Sequence, residues 1–160
     1  MKRVLVLVTI LVLAVLASGV LLAQSSPLVG TWKLNTAKSK YSPGPGPKSQ
    51  TRTVEAQGDG IKVRIEGTAG DGSHVAYGYT ANFDGKDNPM SGIGAPNGAD
   101  TVALKRINPT TIEVTNKKAG KVLVTLRVEV SKDGKVTTIT ANGTNGNGQV
   151  VHNATVYEKQ

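Results

Sequence analysis

The chain has 160 residues, no cysteine, 19 glycines and only 4% aromatic residues. That length allows one domain with one core, and without cysteine a disulfide framework, a thiol nucleophile and a cysteine-ligated metal site are excluded. The formal charge is +8, or about +6 once Lys2 and Arg3 are set aside; it fits solubility first and attraction to anionic polymers or lipid surfaces second.

Met1-Lys2-Arg3 is a short positive stretch, and Val4 to Ala23 is apolar apart from Thr9, Ser18 and Gly19. Residues 1–23 read as a secretory signal peptide cut after Ala23, with Ala17-Ser18-Gly19 as an alternative site. The expected location is therefore periplasmic or secreted. The apolar run of roughly 20 residues is also long enough to cross a bilayer as an uncleaved anchor, so membrane contact is expected only through residues 4–23. No cysteine follows the run, which excludes a lipid-anchored lipoprotein.

Residues 24–27 form a polar linker, and residues 28–160 are expected to form the domain. Gly30-Thr31-Trp32-Lys33-Leu34-Asn35 holds the single Trp and opens the strands. Asn35 to Tyr41 has the composition of one helical turn after an Asn or Thr cap. Ser42-Pro43-Gly44-Pro45-Gly46-Pro47 cannot be helical and should run extended over the surface. Strands are then expected over Thr51–Gln57, Ile61–Gly67 and His74–Phe83, separated by Gly58-Asp59-Gly60 and Gly70-Asp71-Gly72. A loop rich in Gly, Pro and Asn is expected from Asp87 to about Ala99. Further strands follow over Thr111–Asn116 and Lys121–Val130, after one at Thr101–Ile107. The strong hairpin signal Lys132-Asp133-Gly134-Lys135 leads to Val136–Asn142, and Asn145-Gly146-Asn147-Gly148 turns the chain into Gln149–Lys159.

Turn signals recur about every 12–14 residues, the spacing of a β-meander. A meander of about nine strands leaves two edges exposed unless the sheet closes on itself. The expected fold is therefore all-β: an up-and-down antiparallel β-barrel of about 8–10 strands. Alternation places Ile61, Val63, Ile65, Val75, Tyr77, Tyr79, Phe83, Val102, Leu104, Val122, Val124 and Leu126 on the inner face. A barrel of this size either fills itself with side chains or holds one small ligand.

The opening Gly30-Thr31-Trp32-Lys33-Leu34 and the ending Val156-Tyr157-Glu158-Lys159 resemble the first and last strands of the calycin group, which joins lipocalins and fatty-acid-binding proteins. With Lys38-Ser39-Lys40-Tyr41, the Pro-Gly repeats and Ser131-Lys132-Asp133-Gly134-Lys135, the chain is similar to exported bacterial lipocalin-like proteins over most of residues 28–160. The resemblance implies that Trp32 packs across one end of the barrel beneath a basic side chain, here Lys159, with Gly30 beside them as part of the closure. It also implies a carried ligand, small and hydrophobic or amphipathic. Two departures stand out. Asn35–Lys48 is too short and proline-rich for the helical lid of fatty-acid-binding proteins. Their carboxylate-clasping Arg-x-Tyr is replaced by Thr155-Val156-Tyr157, and Arg127 alternates away from the apolar face, so no strong clasp for a fatty-acid carboxylate is expected.

Tyr77, Tyr79, Phe83, Leu104, Leu126 and Tyr157 are the candidate ligand-contacting residues: an apolar wall with hydroxyl handles. No catalytic residue, metal site or cofactor is expected. His74 and His152 lack metal-ligand spacing and fall on polar faces. Asp84-Gly85-Lys86-Asp87-Asn88 lacks the closing Glu of a calcium loop. Gly92-Ile93-Gly94-Ala95-Pro96-Asn97-Gly98 precedes a strand rather than a helix and is expected at a barrel end, not at a phosphate. Basic residues are scattered and the aromatics face inward, which argues against nucleic-acid binding. The expected function is non-catalytic binding of a small apolar or amphipathic molecule by a monomer. The alternative is a filled barrel acting as a cell-envelope structural or interaction module.

Overall fold

Strands with one apolar and one polar face bury the apolar one only by packing against each other, and here they do so around a common axis. A computed structural model describes residues 26–144 and 148–160. The leader and its cleavage site lie outside the described residues, as does most of the turn between the last two strands. The ten strands are β1 (Gly30–Leu34), β2 (Ser49–Gln57), β3 (Gly60–Thr68), β4 (His74–Asn82), β5 (Asp84–Ile93), β6 (Thr101–Asn108), β7 (Thr111–Lys118), β8 (Lys121–Val130), β9 (Val136–Thr144) and β10 (Val150–Lys159). Each pairs antiparallel with its neighbour in the chain, and β1 pairs with β10 to close the barrel. This is the up-and-down architecture that the regular turn spacing predicts.

The core is the inward residues of these strands, with Trp32, Val63, Ile65, Val102 and Leu104 the most deeply buried. Directly opposed residues share a face, so one row of the barrel wall can be followed across the registers. Lys159 faces Trp32, Trp32 faces Arg52, Arg52 faces Ile65, and Ile65 faces Tyr77.

Three local expectations are corrected. Residues Asp87 to Ala99 are not one loop: Asp84–Ile93 is β5, and only Pro96–Gly98 forms a 3-10 turn after it. The strand is hidden in the sequence because it pairs weakly with β4, over Ala76–Tyr79 only, before leaning onto β6 with a register shift between Asp84 and Asp87. Nearly all its residues stay exposed or half-buried, so no apolar alternation marks it. Second, Val122 is 53% exposed and does not face inward. Asn116 faces Val124, but Lys117 faces Val122, so Leu123 is an extra residue that turns Val122 outward. Third, the proline-rich segment does not simply cross the surface. Ahead of it, Thr36 to Lys38 form a single turn capped by the Asn35 side chain, whose Oδ1 accepts from the Lys38 N–H at 3.0 Å. The chain then resumes pairing with β10 through Lys40 and Ala154, and His152 donates to the Ser42 carbonyl at 2.8 Å. Residues 41–47 fold as a strap over one end of the barrel.

Candidate ligand cavity

Beneath the strap lies a cavity of about 270 Å³. Its rim is made by Tyr41, Pro43 and Pro45 of the strap and by Pro96 and Asn97 of the 3-10 turn, with Val124, Leu126 and Ile139 as apolar wall. At its inner end stand Arg52, Gln50, Tyr77 and Tyr157. Below them Trp32 stops the barrel: a void of about 20 Å³ there, lined by Arg52, Tyr79, Thr137 and Tyr157 among others, is about the size of one water molecule. A larger groove of about 520 Å³ lies where β4 and β5 diverge, but it is open and flanked by the polar Lys62, Arg64 and Glu66. The interior cavity is the one that gathers convergent polar groups in an apolar surround, the composition of a small-molecule site.

Arg52 organises the inner end. Its guanidinium lies 5.6 Å from the centroid of the Tyr157 ring. Burial works to lower its pKa, and the neighbouring Tyr79, Tyr157 and Tyr77 more than offset this, so the group is held firmly cationic. The four ion pairs among the described residues do not include it. Burial also pushes the Tyr77, Tyr79 and Tyr157 hydroxyls upward, with Arg52 acting in the opposite direction on each. The Tyr157 hydroxyl donates to Gln50 Oε1. The inner end is thus one cation surrounded by neutral hydroxyls, with no carboxylate paired to it among the described residues.

The candidate ligand residues divide accordingly. Tyr77, Leu126 and Tyr157 border the cavity. Tyr79 lies beside Arg52 at the small void. Leu104 is wholly buried in the core, away from the cavity lining. Phe83, in the turn between β4 and β5, is capped by the Arg106 guanidinium at 3.8 Å and is also absent from the lining. His74 and His152 are exposed, and no group of three or more His, Asp or Glu among the described residues could hold a metal ion. Arg127 points outward to Glu129 at 3.0 Å.

Sequence reasoning missed Arg52, Gln50 and Tyr41. The signal for the first two was present. Val54 is apolar and pairs with Val63, and period-2 alternation from Val54 places Arg52 and Gln50 on the same inward face. The cation absent from the last strand is supplied by β2, next to the same Tyr157.

The closed end has a simple geometry. The Trp32 indole N–H donates to the Leu28 carbonyl at 2.9 Å, and Lys159 Nζ stands 5.1 Å from the ring centroid. Gly30 has φ +139°, and a Cβ there would lie 2.6 Å from Lys159 Cε. Glycine suits this position because L side chains rarely adopt such a φ, and its missing Cβ leaves the end of the lysine side chain free to lie close to β1 on its way over the indole.

No family model matches the chain, and no curated protein matches it. Among solved structures, one described as "Structure of EF1p2_mFAP2b bound to DFHBI" is similar at 12% identity, over 84% of this chain and 94% of that one, with a TM-score of 0.42.

Proposed function

We propose that this barrel is a non-catalytic binder of one small amphipathic molecule, held with an oxyanion head at Arg52 and an apolar body toward the strap. The observation that carries this reading is an interior arginine with no acidic partner among the described residues, at the blind end of an apolar-walled cavity. A half-buried cation without a counter-charge costs stability, and an anionic head would supply that charge. Hydrogen bonds to such a head are charge-assisted and strong. The lipocalin-like character of the first and last strands supports the same reading, and the apolar residues 4–23, read as an export signal or anchor, support an activity outside the cytoplasm. A filled barrel has less support, because the interior retains about 270 Å³.

The test is calorimetric titration of the purified protein with decanoate and with decanol, which share a chain and differ in the head. Decanoate should bind more tightly than decanol. Arg52→Met should weaken decanoate at least about tenfold, the worth of one or more hydrogen bonds to a charged group, and leave decanol nearly unchanged. The free Arg52→Met protein should be as stable as the parent, or more so by about 1–2 kcal/mol. Equal decanoate affinity in parent and variant would rule out the Arg52 head site.

A further inference from the structure

The strap carries a group that the cavity wall does not explain. The Tyr41 hydroxyl is buried and has no hydrogen-bond partner among the described residues. Leaving such a group unpaired is costly, and phenylalanine would fill the same space without that cost. The ring borders the cavity together with Arg52 and Tyr157, and Tyr41 is near enough to Tyr157 to act on its ionisation.

The surrounding residues hold this ring in place. Gly46 packs against it so closely that a Cβ would lie 2.0 Å from Tyr41 Cε2. On either side of the tyrosine the strap is tied to β10. Lys40 and Ala154 exchange backbone hydrogen bonds at 2.8 Å, and the Ser42 N–H donates to Asn153 Oδ1 at 3.0 Å. Prolines at 43, 45 and 47 limit the backbone freedom of the rest of the strap. Alternating Pro and Gly thus meet two needs: a stiff path over the opening, and room for an aromatic ring beneath it.

We infer that Tyr41 is a specificity-determining residue: its hydroxyl donates to one oxygen of the ligand's carboxylate while Arg52 engages the other, so the strap selects heads with two acceptor oxygens. This rests on the reading of Arg52 given above. It adds that head recognition is shared between the barrel wall and the strap. No bond is made or broken; the ligand leaves as it entered.

The experiment sets Tyr41→Phe beside Arg52→Met, each titrated with decanoate and decanol and each melted without ligand. Tyr41→Phe should bind decanoate roughly tenfold more weakly and decanol as the parent does, while the free variant melts at the same temperature or higher. Higher stability together with weaker binding is the signature of a group kept for a ligand. Gly46→Ala, which must displace the ring, should show the same selective loss; should it fail to fold, Tyr41→Phe decides alone. If Tyr41→Phe keeps full decanoate affinity while Arg52→Met loses it, the role of Tyr41 is overturned and the Arg52 reading stands. Equal loss of decanoate and decanol in Tyr41→Phe would reduce Tyr41 to packing and overturn the inference as well. If the parent binds neither compound, the Arg52 reading fails and the inference falls with it.

Discussion

At the scale of single residues, Gly30, Trp32 and Lys159 show why a two-residue spacing carries so much structure. Gly30 and Trp32 project to the same side of β1, and the lysine facing Trp32 across the closing pair must cross both. A bulky residue at 30 would block the stem; a small one at 32 would leave the barrel end unfilled. Trp32→Ala should therefore destabilise the domain by roughly 3–5 kcal/mol, with about 0.5–2 kcal/mol of that from the lost cation–π contact, read as a lower midpoint in urea denaturation. An unchanged midpoint would refute the closing role. This end of the barrel was legible in the sequence because a lone Trp beside a glycine is conspicuous. Arg52 was not, because a charged residue in a mixed polar strand looks like an outward one. Its side follows only from the parity of Val54. Tyr41 was legible as an aromatic but not as a cavity residue, since nothing local says over which surface a proline-rich segment folds.

At the scale of elements, the contrast between β8 and β5 is instructive. Alternation in β8 gives the strand correctly but misplaces Val122, because one extra residue, Leu123, shifts the parity beyond Val124. In β5 the backbone forms a strand without any apolar face, held by β6 along one part and β4 along another. Side-chain pattern reports burial, and a strand that buries little leaves little pattern. The turn that leads into the strap is an element of a third kind, fixed by capping and ion pairing. Lys38 Nζ meets Glu158 Oε1 at 2.9 Å, and Asn35 Nδ2 donates to the same oxygen at 3.0 Å. Those bonds, the Lys38 one first, hold the Glu158 carboxyl below its ordinary value of 4.5. A carboxylate so lowered in the folded state contributes stability above the ordinary value and loses it as pH falls through the folded one. Acidification below about pH 4.5 should therefore loosen the turn at 35–40. Amide protection at Lys38 and Lys40, taken relative to the intrinsic exchange rate at each pH, should fall there in the parent, whereas Glu158→Gln should already show low protection at neutral pH. The same acid response in both proteins would exclude this fastening.

At the scale of the whole molecule, ten strands in chain order around one axis leave a single non-neighbouring pair, β1 with β10. The regular turns made this legible; the depth of the cavity was not, because volume depends on how far side chains reach across the barrel. Tyr77, Tyr79 and Tyr157 together couple the interior to pH. Burial raises each above the ordinary 10.0. A raised folded-state pKa means that their contribution is complete below pH 10 and is lost as pH rises through the folded values. Ultraviolet titration should show these three ionising only together with alkaline unfolding, and early ionisation of all the tyrosines would contradict their burial. The closing pair also bears on the order of events during synthesis. At roughly 5–20 residues per second, the first strand of the barrel waits several seconds for its partner, since the last strand is made last. Throughout that interval the sheet has open edges and the chain cannot lock. Until synthesis ends, such a chain depends on its surroundings, and not on its own partner strand, to keep those edges from pairing elsewhere.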